Sequence, residues 1–316
     1  MKYLENIVSA TVLTITFCFV LMFAAALNVA AQTYHAPYDF DGDGKTDVAI
    51  YRPSSGQWWI LRSSDGSNYV LTFGVATDKI VPADYTGDGK CDIAVYRPSS
   101  GEWFILRSED YSYYSIPFGI STDIPVPADY DGDGKADIAV WRSSDSTWYL
   151  NKSLGGFEAT VFGISSDYPV PGDYDGDGKA DLSISRPAER WFRRSSDNGA
   201  YAVPFGSSHP QGSTILPGGD YTGDGKADPA VFSANENYTW KYFRSENGTI
   251  GGFNDVADLT KVPGDYNGDH RIDISLFNPA TGLWTIYKSG GGIDYVTFGT
   301  SGDKPVPNAF VQIASQ

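Results

Sequence analysis

Six short segments carry oxygen-bearing side chains at positions 1, 3, 5 and 9 of a nine-residue stretch, with glycine at position 4 and usually at 6. They begin at Asp39, Asp84, Asp129, Asp173, Asp220 and Asp265. Glycine permits the sharp winding that aims several carboxylates at one point, and hard oxygen ligands in a flexible cage suit Ca²⁺. Three segments are complete: Asp39, Asp41, Asp43 and Asp47; Asp129, Asp131, Asp133 and Asp137; Asp173, Asp175, Asp177 and Asp181. Two place threonine at position 3, giving Asp84, Thr86, Asp88 and Asp92, and Asp220, Thr222, Asp224 and Asp228, and should bind more weakly. The sixth has Asp265, Asn267, Asp269 and Asp273, with His270 where glycine is usual. Position 7 (Lys45, Lys90, Lys135, Lys179, Lys226 and Arg271) would offer its backbone carbonyl and leave its side chain in solvent. Up to six Ca²⁺ ions are expected.

An isolated Asp-Gly is an ordinary turn. These segments, however, hold 21 of the chain's 39 acidic side chains, which points to bound cations rather than a general acidic coat. An EF-hand loop needs flanking helices and a glutamate at position 12. Here position 9 leads directly into VAIYR, IAVYR, IAVWR or LSISR, so the loop joins two strands.

The loop starts are 45, 45, 44, 47 and 45 residues apart, the period of one supersecondary unit per repeat. In the third repeat, Val126–Ala128, Ile138–Trp141, Thr147–Asn151 and Phe157–Phe162 read as four short strands separated by turn residues, which is one propeller blade. Phe-Gly follows the last strand at residues 73–74, 118–119, 162–163, 205–206 and 298–299, and only Phe253-Asn254 departs. Trp58, Trp103, Trp148, Trp191, Trp240 and Trp284 are expected to open the third strand and pack between sheets. With no helical periodicity after the leader, the fold class is all-β, a propeller of four-stranded blades. The strand before the acidic loop occurs seven times, from His35–Tyr38 to Val306–Phe310, so the two chain ends should pair and close the ring.

The Phe-Gly pairs, the Val-Pro-Ala/Gly segments and the acidic loops together resemble the FG-GAP and VCBS-type repeats, similar to those of the integrin α-subunit propeller. The resemblance covers nearly all of the chain after residue 31. It implies Ca²⁺ in the loops and a role in recognition at the cell surface or in the matrix, for a protein or glycan ligand. Integrin propellers have seven blades and this chain shows six loops, so six is the expected number and seven the alternative.

Residues 6–31 carry no charged side chain and end in Val29-Ala30-Ala31, as a secretory leader cut between Ala31 and Gln32 would. The expected organisation is a signal peptide over 1–31 and one propeller domain over 32–316, secreted or at the cell surface, the periplasm included. An uncleaved membrane anchor is the rival reading; after cleavage no segment should insert. The net charge of −16 excludes nucleic acid as a partner. Cys91 stands where other repeats have alanine and reads as a small buried residue. Catalysis is not expected, because the three histidines fall out of repeat register and no nucleophile motif is present. A structural component of the envelope and a secreted carbohydrate-active enzyme are the alternatives. His209–Ile215 and Glu109–Tyr114 depart from the repeat and are the places to look for a ligand. Mass measurement of exported protein should give a chain starting at Gln32; a chain starting at Met1 in the membrane pellet would overturn the leader reading.

Overall fold

The β-branched and aromatic runs that leave each acidic loop are buried on both faces. Those one strand further out alternate buried and half-buried, and the outermost strands are largely exposed. That radial gradient is the signature of sheets packed face to face around an axis. The computed structural model describes residues 35–205, 214–233, 239–254 and 259–310, and the backbone of 312–313. These form six antiparallel sheets, not seven, and the leader lies outside the described residues.

Blade 3 is typical, with Ile124–Pro125 innermost, then Ile138–Arg142, Thr147–Asn151 and Phe157–Val161. The inner strand thus lies two residues before the expected one, and Ala128 makes only an isolated bridge to Asp137. Pro127 explains the shift, since it has no N–H to continue the ladder.

Ring closure pairs the two ends of the chain. Lys304–Pro305 supplies the inner strand of blade 1, with Ile50 opposite Pro305 and Tyr51 opposite Lys304. The expected strand at Val306–Phe310 is corrected: Val306–Asn308 is a 3₁₀ turn with proline in its first turn. His35–Tyr38 is likewise not a strand. Beyond the closing strand, Asn308 Nδ2 donates to Lys261 O at 2.8 Å, and Gln312–Ile313 pairs with Thr214 and Ile215 of blade 5. The tail therefore crosses an axial cavity of about 790 Å³ lined by the inner strands.

Trp58, Trp103, Trp148, Trp240 and Trp284 are completely buried between blades. Four of them donate Nε1–H to the carbonyl of the Phe in their own Phe-Gly pair, at 2.9 to 3.1 Å. Trp191 does not share that position. The blade 4 hairpin turns over Pro187-Ala188 alone, with Arg186 opposite Glu189, so Arg190 takes the buried place and Trp191 moves outward. Arg190 donates Nη2–H to Ala230 O, while its Nε and Nη1 have no partner among the described residues. Its burial pulls its pKa down to about 10.

A buried aspartate just before the inner strand holds the arginine ending the second strand through two hydrogen bonds in four blades: Arg52–Asp303, Arg97–Asp78, Arg142–Asp123 and Arg186–Asp167. The first pair joins residues 251 apart and locks the closure. Replacing Arg52 with Met should cost about 2 to 3 kcal/mol in urea unfolding, because Asp303 stays buried without its charged donor. An unfolding midpoint equal to that of the parent would show the closure is held elsewhere.

Candidate metal centre

Each acidic loop is wound around its own first and last aspartates. The carboxylate at position 1 accepts the N–H of position 4 at 2.5 to 2.7 Å and of position 6 at 2.7 to 2.9 Å in all six copies. Glycine is required at position 4 because its φ is positive, as in Gly42 at +83° and Gly132 at +82°. His270 keeps the same bond to Asp265 at 2.9 Å by adopting φ +67°, so the sixth loop preserves the geometry despite losing its glycine.

The position 9 aspartates are buried: Asp47, Asp92, Asp137, Asp181, Asp228 and Asp273. One oxygen of each accepts the N–H of position 2, and the other accepts the N–H of a serine just past the third strand. Those serines, Ser63, Ser108, Ser153, Ser195, Ser245 and Ser289, also donate Oγ–H to the position 5 aspartate at 2.5 to 2.9 Å. Sequence reasoning missed them, although their recurrence in every repeat was a readable signal.

The loops are also joined to one another. The N–H of position 8 donates to the position 1 carbonyl of the preceding loop at 2.6 to 2.7 Å: Cys91 to Asp39, Ala136 to Asp84, Ala180 to Asp129, Ala227 to Asp173, Ile272 to Asp220, and Thr46 back to Asp265. Six bonds thus make a closed ring, and Cys91 is buried within it as a small residue. The position 7 side chains reach over the neighbouring loop, half-buried except for Arg271, which is exposed. Lys90 lies over Gly42, Lys135 over Gly87, Lys179 over Gly132, Lys226 over Gly176, Arg271 over Gly223 and Lys45 over Gly268. A Cβ on any of these glycines would meet the neighbouring side chain at 2.5 to 3.1 Å, so a larger residue at position 4 would push that side chain aside as well as strain the positive φ.

Carboxylate oxygens converge to within 4.8 Å of one another in three loops: Asp39, Asp41 and Asp43; Asp129, Asp131 and Asp137; Asp173, Asp175 and Asp181. These are the three loops that the sequence reads as complete. Asp131 Oδ1 is buried with no hydrogen-bond partner among the described residues, as an oxygen reserved for a cation would be. The donor set is entirely hard oxygen, so the residues fit Ca²⁺. In the second and fifth loops the Thr86 and Thr222 hydroxyls turn toward the position 1 carboxylates, at 3.5 and 3.4 Å. In the sixth, Asn267 Nδ2 donates to Asp269 at 3.2 Å, so that amide nitrogen faces the place of a ligand.

The class of protein that these features define is a six-bladed β-propeller strung on acidic turns. The family model described as FG-GAP-like repeat matches residues 39–124 and 129–184, which hold the first four acidic loops and the strands that leave them. No curated relative matches the sequence. Among solved structures the chain is similar to an Agrocybe aegerita lectin described by its recognition of non-reducing terminal N-acetylglucosamine, with 16% identity over 84% of this chain and 90% of that one, at a TM-score of 0.50. TolB from Acinetobacter baumannii gives a TM-score of 0.57 at 14% identity, over 84% of this chain and 64% of that one. Both likenesses show the propeller fold alone. No described helix is long and apolar enough to cross a membrane.

Burial pushes the Asp47 carboxyl up to about 7 and those of Asp92, Asp181 and Asp273 up to about 6, against an ordinary value of 3.8. Hydrogen bonds to the charged form offset only part of this. Between those values the folded chain binds more protons than the unfolded one, so without metal its stability falls as pH rises. The melting temperature in chelator should therefore drop from pH 4.5 to 7.5; a rise over that range would show that the carboxylates fold already charged.

Proposed function

We propose that the protein is a secreted, calcium-stabilised propeller that recognises an extracellular protein or glycan and catalyses no reaction. The ring of acidic loops carries the reading. Three loops converge carboxylates on one point, and one of them leaves a buried oxygen without a partner among the described residues, which is costly unless a cation takes it up. Bound Ca²⁺ would supply positive charge that compensates the crowded carboxylates. The chain's own contribution is to hold them: position 1 through two N–H groups, position 9 through two more, and position 5 through the serine. A catalytic centre is disfavoured because the buried aspartates outside the loops are committed to arginines. The lectin's sugar recognition is a precedent for glycan binding on this fold. An assembly role is the second reading, favoured by the exposed outer strands, where Tyr113, Phe157 and Tyr295 stand in solvent.

Millimolar Ca²⁺ should raise the melting temperature over that in excess chelator. Extracellular sites bind at roughly 0.1 to 1 mM, so at about ten times the dissociation constant each contributes about 1.4 kcal/mol. Asp131→Ala should remove much of that gain in Ca²⁺ yet be neutral or stabilising in chelator, where it relieves an unpaired oxygen and like-charge repulsion. Identical parental melting curves in Ca²⁺ and chelator would reduce the loops to turns. A panel of glycans and matrix proteins, read with sedimentation, separates recognition from assembly.

A further inference from the structure

A crevice of about 300 Å³ opens between blades 1 and 2 on the side of the acidic loops. It is lined by three cations, Arg62, Arg107 and Lys90, with the rings of Tyr69 and Tyr111 and one carboxylate, Asp41. On a chain of net charge −16 such a lining is an exception.

Its cations occupy a repeated position. The residue after the third strand is basic in every blade and opens a backbone turn, its N–H donating to the carbonyl five residues on at Arg62, Arg107, Arg194 and Arg244 and four residues on at Lys152 and Lys288. In three blades a carboxylate of the same blade neutralises it, Glu158 on Lys152 at 2.7 Å, Asp197 on Arg194 at 2.7 Å and Asp294 on Lys288 at 3.1 Å. Blades 1 and 2 lack that ion pair among the described residues: Arg62 lies over Tyr69 at 4.8 Å and Arg107 over Tyr114 at 4.7 Å, and blade 5 is similar, with Arg244 over Tyr242 at 5.9 Å. Stacking fixes each guanidinium plane, and Asp65 and Asp110 act on Arg62 and Arg107 only from beyond ion-pair distance. Arg107 spends one nitrogen on Ser112 Oγ, whereas Arg62 Nε, like Arg244 Nε of blade 5, is buried with no hydrogen-bond partner among the described residues. Asp41 accepts Ser64 Oγ–H at 2.6 Å and belongs to the first carboxylate cluster, so bound metal would offset its charge.

The rim comes from the turn that breaks the repeat pattern. Tyr111, at φ +58°, is 54% exposed and stands at the mouth of the crevice. Oriented guanidiniums select a carboxylate, exposed tyrosine faces cover the C–H face of a sugar ring, and the volume suits one sugar residue rather than a long peptide. The geometry points to a binding site for a uronic acid residue of an acidic glycan in the crevice between blades 1 and 2. The inference rests on the recognition reading above and narrows its ligand.

The test compares pairs of small glycosides that differ only in the carboxylate: methyl β-glucuronide with methyl β-glucoside, and methyl α-galacturonide with methyl α-galactoside. Sodium acetate controls for charge alone. Binding is followed by calorimetry and by tyrosine-ring NMR shifts in constant Ca²⁺. At least one uronide should bind about tenfold or more tighter than both its neutral partner and acetate. Arg62→Gln with Arg107→Gln should abolish that preference, and Tyr111→Ala should weaken the uronide without restoring the neutral sugar. Both variants should keep the Ca²⁺-dependent melting temperature, which excludes loss of fold. Neither uronide exceeding its neutral partner, acetate matching the uronides, or full binding by the double variant would each overturn the inference. The broader recognition reading would survive if the protein then bound some other glycan or matrix protein.

Discussion

The first aspartate of each acidic loop holds two structures together at once. Its carboxylate winds its own loop through two N–H groups, and its carbonyl accepts the N–H that ties on the next loop. Because the sixth loop is tied to the first through Thr46 and Asp265, no copy is terminal. Strand pairing within a blade says nothing about how blades sit beside one another. The ring of loops, with the aromatic seams below it, supplies that information.

The seams and the ring impose different requirements on the sequence. Between blades a tryptophan fills the volume and places its N–H on the Phe-Gly carbonyl, so both burial and polarity are satisfied. In the ring, a lysine stem crosses a neighbour's backbone at close range, where a residue larger than glycine would push it aside. Arg190 shows what happens when one requirement is broken. The short hairpin of blade 4 brings a charged side chain into the aromatic seam, with a carbonyl as its hydrogen-bond partner.

Much of this was legible in the chain. The period, the four strands per repeat and the three convergent loops follow from local spacing, and the structure puts carboxylates together in the same three loops. What was not legible depends on through-space neighbours. Position 7 reads as solvent-exposed until the adjacent loop is seen beneath it, and the serines matter only because the third strand returns beside position 5. The inner strand pairs two residues earlier than the Val-Pro repeats suggest, because Pro127 has no N–H with which to continue the ladder. With a hairpin two residues shorter than the one before Trp58, the register opposite the second strand puts Arg190 in the place of Trp58, and Trp191 stands one residue beyond it, on the other face.

The closing strand has a consequence for the order of events during biosynthesis. Lys304–Pro305 is made after the four strands of each of blades 2 to 6, yet it completes the blade whose other strands are made first. Until it arrives, Val48–Arg52 presents an open edge, and Arg52 waits for an aspartate 251 residues away. Five blades can form in sequence from local hairpins, whereas the first is finished only once Lys304–Pro305 has been made. A nascent or truncated molecule is therefore not a smaller propeller but an open arc with a sticky end, and that end is what the cell must shield.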